Sequence, residues 1–61
     1  MTKVQTREVE NARRYIACGM PDTAARTVSA LIRSAMRRTD KWELQEFAKA
    51  HGLDQRPDFI I

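Results

Sequence analysis

Apolar positions recur at helical spacing along most of the chain, and nowhere do they alternate over enough residues to build a strand. In the first third, Val9, Ala12, Ile16 and Met20 follow at intervals of three and four, which is one face of a helix over about residues 6–18. Glu10 and Arg14 lie one turn apart on it and can pair, worth a few tenths of a kcal/mol. Gly19 tolerates the left-handed conformation that closes such a helix, and Pro21 blocks simple continuation. With Asp22 as its N-cap, a second helix is predicted over about 23–38. Its Ala24, Ala25, Val28, Leu31, Ile32, Ala35 and Met36 share an arc of roughly 140°, opposite a strip made by Arg26, Arg33 and Arg37.

A third helix is predicted over about 41–51. Asp40 with Glu43 resembles a capping box, and Leu44, Phe47, Ala48 and His51 form the inner stripe. Gly52 followed by Leu53 fits a Schellman ending, with Leu53 packing back on the helix. Trp42 projects to the far side, near Glu46 and Lys49. Residues 53–61 are a tail with Pro57 in it, ending in Phe59, Ile60 and Ile61. The expected fold is therefore all-α, a single small domain over 1–61. Its first two helices form an antiparallel hairpin, the third packs across them, and the apolar tail covers the seam. Val9, Ile16, Val28, Leu31, Ile32, Ala35, Leu44, Phe47 and Leu53 are the expected core.

Composition narrows the class. A 43% apolar and 31% charged chain of 61 residues suits a small globule and not a disordered segment. One Cys excludes an internal disulfide framework, and with a single His it cannot complete a four-ligand zinc site. No cofactor or metal is expected. No apolar run reaches the ~18 residues of a membrane span and no signal peptide opens the chain, so a cytoplasmic protein without membrane contact is expected. A chain this short is stabilised by about 3–9 kcal/mol, and small scaffolds without disulfides or metals often gain more by self-association. A homodimer is therefore expected.

Catalysis is not expected. Gly19 and Gly52 are isolated, so there is no phosphate loop. Cys18 and His51 are the only nucleophile and base of their kinds, and they end different helices. Charge is more informative. Between Glu10 and Asp40 the only acid is Asp22, against Arg13, Arg14, Arg26, Arg33, Arg37 and Arg38, in a chain of net charge +3. The forked guanidinium suits phosphate or carboxylate, so Arg26, Arg33, Arg37 and Arg38 are candidates for an anionic partner. The other reading is a solvated face whose arginine stems cover apolar surface.

Gly19, Met20, Ala25 and Val28 also sit acceptably for a helix-turn-helix, but Tyr15 occupies the place of its small residue. Ala12, Tyr15, Gly19, Ala24 and Val28 fall at the small, aromatic, turn and packing positions of a tetratricopeptide-type unit, which the hairpin resembles over less than half of the chain. Leu31 stands where that unit has a small residue and no second unit follows, whereas a solenoid needs about three; the family is not assigned.

Trp42, Phe59, Ile60 and Ile61 are the candidate apolar interface. For Trp42 the alternative is packing at the start of the third helix, and for the tail it is docking on its own core. Two functions follow. One is a non-enzymatic, self-associating protein-interaction or regulatory module. The other is a nucleic-acid-binding regulator that sets its arginines on phosphates, with Thr23 and Thr27 nearest the bases.

Overall fold

The first helix begins before its apolar stripe does. The computed structural model describes residues 1–61 and contains three helices, α1 (Lys3–Ala17), α2 (Pro21–Ser34) and α3 (Arg38–Ala50), followed by a short 3-10 turn at Leu53–Gln55. The early start of α1 is local chemistry. Thr2 Oγ1 accepts from the Gln5 N–H at 3.1 Å, and Gln5 Oε1 accepts from the Thr2 N–H at 2.8 Å. This reciprocal pair satisfies two backbone donors and forms a capping box. Apolar periodicity misses it, because Val4 in this first turn faces solvent.

At its other end α1 closes as expected. Gly19 has φ +75°, its N–H donates to Ile16 O, and the Met20 N–H donates to Tyr15 O at 2.7 Å, a complete Schellman ending. A Cβ at Gly19 would meet nothing within 4 Å, so the cost of adding one is conformational alone. Gly19→Ala is expected to lose about 1–2 kcal/mol, the left-handed penalty for an L-residue. In a domain of this size each kcal/mol lowers Tm by about 4–8 °C, which a thermal melt followed by circular dichroism measures.

α2 starts at Pro21, not after an Asp22 cap. Met20 is the N-cap and Pro21 the first helical residue, where a fixed φ and a missing N–H cost nothing. Asp22 lies inside the first turn and favours the helix dipole from there. The larger departure is at the far end. Instead of running to residue 38, α2 stops at Ser34, and Ala35 and Arg37 are extended with ψ 134° and 136°. Residues 35–37 contain neither Gly nor Pro, so nothing local punctuates the break. Packing sets it: the chain must reverse here for Leu44 and Ala48 to reach the same core as Ala35. Consequently Met36, assigned by periodicity to the inner arc, is 96% exposed. α3 begins at Arg38, so Asp40 is not a cap but a buried residue of its first turn.

The core has eleven members: Val9 and Ala12 of α1, Ala24, Ala25, Val28, Leu31 and Ile32 of α2, Ala35 just after it, Leu44 and Ala48 of α3, and Leu53. Five of these are alanines, which lets helix backbones approach closely but buries little apolar area per residue. Ile16 and Phe47, expected inside, are half-buried at its margin with Tyr15 and Phe59. Ser29 is buried within the apolar face of α2, and its hydroxyl donates to Arg26 O at 3.1 Å, so no polar atom is left without a partner there.

α2 is the central element. Both α1 and α3 pack against it, and no Cα of α1 lies within 8 Å of one in α3. Side chains bridge the gap at its two ends. The Met1 amino group lies 3.4 Å from Asp40, and the Arg13 guanidinium stands 5.4 Å from the centre of the Phe47 ring. These bridges put α1 and α3 parallel, with their N-terminal ends at the same pole of the bundle.

Candidate cationic groove at one pole of the bundle

Where α2 ends and α1 and α3 begin, the gap between the outer helices opens into a groove of about 420 Å³. Its apolar lining is Val4 from α1, Leu31 from α2 and Met36 from the extended connection. Ser34 and Arg37 line it from the connection side, and Thr2, Gln5 and Asp40 complete it. The capping box therefore does more than start a helix. It fixes the first turn of α1, and with it Val4, as a wall of the groove.

The surroundings are strongly basic. Lys3 precedes Val4, Arg33 precedes Ser34, and Arg37, Arg38 and Lys41 flank Asp40, all of them exposed. None of these five cations is in an ion pair, and the one acid among them, Asp40, is buried against the Met1 amino group. Arg37 and Arg38 also sit at the start of α3, where the helix dipole disfavours cations. Local electrostatics thus opposes this placement, and the positive field is left uncompensated.

The arginine strip expected along α2 is not assembled as such. Arg37 and Arg38 lie beyond the helix, because α2 ends four residues short of residue 38. Arg33 remains exposed on the last turn of α2, and of these arginines only Arg37 lines the groove. Arg26 lies two turns away and is engaged elsewhere, donating to Asp58 Oδ2 at 3.2 Å. Arg56 approaches Asp22 at 3.6 Å, so two exposed ion pairs strap the tail along the N-terminal half of α2. Each is worth at most about 1 kcal/mol.

The apolar candidates separate similarly. Phe59 is half-buried against the core, whereas Ile60 and Ile61 are 60% and 64% exposed. The tail thus docks through one residue of the three, Phe59, next to the Arg26–Asp58 pair. Trp42 does not pack at the helix start; it is 61% exposed on the outer side of α3, one turn from Arg38. Sequence reasoning missed Val4, Met36, Lys3 and Lys41 as surface of this pole. The Thr2-x-x-Gln5 spacing is the signal that would have extended α1 to Lys3 and Val4; Met36 left no such signal.

Cys18 is exposed at the C-cap of α1 and His51 at that of α3. His51, expected on the inner stripe, is exposed at the C-cap, where α3 has already ended. Its ring is tilted 40° against that of Phe47, with centroids 4.4 Å apart, and its Nδ1 lies 3.0 Å from Phe47 O. No group of three or more His, Cys, Asp and Glu side chains is placed to hold a metal ion, and no helix is long and apolar enough to cross a membrane. Comparison of the chain with protein-family models, with curated proteins and with solved structures finds no match.

Proposed function

We propose that this chain is a small protein-interaction or regulatory module that self-associates and acts by binding, without a catalytic step. One observation carries the reading: large apolar side chains stand outside a core in which five of the eleven residues are alanine. Met36, Trp42, Ile60 and Ile61 are 96%, 61%, 60% and 64% exposed, while Leu44 and Leu53 are the largest apolar residues almost wholly buried. Burying one such side chain is worth about 1.5–3 kcal/mol, so covering two of them would rival the stability of the isolated fold. Trp42 and the Ile60–Ile61 pair are the contact surfaces between copies.

Sedimentation equilibrium across a concentration series tests this. The unmodified chain is expected to shift from monomer to dimer or larger, and a Trp42→Glu, Ile60→Glu double variant to stay monomeric with unchanged helix content. Both positions are exposed, and surface substitutions usually change stability by no more than about 0.5 kcal/mol. A wild-type chain that is monomeric at every concentration overturns self-association.

A second reading, nucleic-acid binding, is favoured by a different observation: Arg33, Arg37 and Arg38 gather with Lys3 and Lys41 at one pole, and none is paired. Neutralising three phosphates would weaken duplex binding about 40-fold between 0.05 and 0.2 M salt. Arg33→Glu with Arg37→Glu is expected to abolish it. Salt-independent binding would remove this reading.

A further inference from the structure

We infer that the groove at this pole is a docking site for an acidic segment of another protein, one that seats a large apolar side chain between Val4, Leu31 and Met36 while its carboxylates meet Arg37 in the lining and the exposed cations around it. This rests on the interaction-module reading but not on self-association, which uses other surfaces. The groove combines two features that one ligand must satisfy together. The groove is open and, at about 420 Å³, has room for a large apolar side chain with its neighbours, and Met36 at its edge is a flexible, polarisable side chain that can fold over an occupant. Arg37 lines it, neither Arg37 nor the exposed Arg33 and Arg38 nearby is in an ion pair, and the one carboxylate of the lining, Asp40, is buried against the Met1 amino group. Arginine forks match carboxylates with two parallel hydrogen bonds, and desolvation beside an apolar floor strengthens each of them.

The alternatives fit less well. A second copy docked pole to pole would juxtapose the same Lys3, Arg37 and Arg38 across a two-fold axis, a like-charge arrangement that costs several kcal/mol. A nucleic-acid backbone would satisfy the cations but leave the apolar lining empty, and no aromatic side chain lines the groove on which a base could stack.

The test uses the full chain and fluorescence anisotropy with three labelled probes. The first is a short peptide of Asp and Glu that carries one Leu and one Phe a helical turn apart. The second is the same peptide with both apolar residues replaced by Ser, and the third a random DNA duplex. The apolar-acidic peptide is expected to bind best, at least about tenfold more tightly than the Ser peptide, because only it has large apolar side chains to bury on the groove's apolar lining. Arg37→Glu with Arg38→Glu should weaken it at least about tenfold, and Met36→Ser severalfold, with circular dichroism unchanged. Equal binding of the two peptides, or preferential binding of the duplex, overturns the proposal; the latter identifies the pole as a phosphate-binding surface. An undiminished affinity in Met36→Ser also overturns it. A monomeric chain that binds the apolar-acidic peptide removes self-association and leaves the docking site standing. A dimer that binds none of the probes does the reverse.

Discussion

Leu44→Ala is expected to remove more than half of the folding free energy of the chain. Leu44 is 1% exposed and is the only large apolar side chain that α3 buries completely. Its remaining core residue is Ala48, and Phe47 is only half-buried. Truncating a buried leucine costs about 2–5 kcal/mol in lost transfer and cavity terms. That is comparable with the roughly 3–9 kcal/mol available to a chain of this length. The close packing that a cavity could collapse into is already taken by alanines, which have no rotamers with which to fill space. A urea titration followed at the helical band checks this, with the midpoint expected to fall by more than half. Met36→Ala is the matched control: it removes an equally large apolar side chain at a position 96% exposed and should move the midpoint hardly at all.

Ala12→Leu is the opposite kind of damage. Ala12 is fully buried on α1, a helix whose only backbone neighbour is α2, so its methyl lies in the α1–α2 seam. On the facing helix Ala24 and Ala25 are also fully buried. Ala12 has no exposed surface, so a leucine there must displace its neighbours. Overpacking of this kind costs typically about 1–3 kcal/mol, through side chains forced off their rotamers and displaced backbone. Because Val4 rides on α1, pushing that helix outward also widens the groove. Guanidinium denaturation should show the loss of stability, and the apolar-acidic peptide should bind more weakly in the fraction still folded. Ala17→Leu, at an exposed position on the same helix, should be close to neutral.

Much of this fold is legible in the chain because its signals are local. The stripes Val9–Ala12–Ile16 and Val28–Leu31–Ile32 lie within single helices, and a 3.6-residue period reports which side faces inward wherever the helix continues. Gly19 and Gly52 adopt φ +75° and +69° where helices close, since only glycine takes that conformation without penalty. The candidate groove was less legible. Its cations Arg33, Arg37 and Arg38 were visible as an unpaired basic run, but as a stripe along one helix. Val4 and Met36, which give the groove its apolar lining, lay outside every periodic pattern.

The amino-acid sequence by itself determined that there are three helices, which faces of them are apolar, and where two of them stop. Each is decided within a few residues, by periodicity and by backbone preference. Only the tertiary structure decided that α2 ends at Ser34, that Met36 faces solvent, that Arg26 belongs to Asp58, and that Arg37 and Arg38 stand at a pole instead of along a stripe. The helical propensity of residues 35–37 differs little from that of their neighbours. The break there is set by the burial of Leu44, Ala48 and Leu53 against α2, contacts between residues far apart in the chain that no local pattern records.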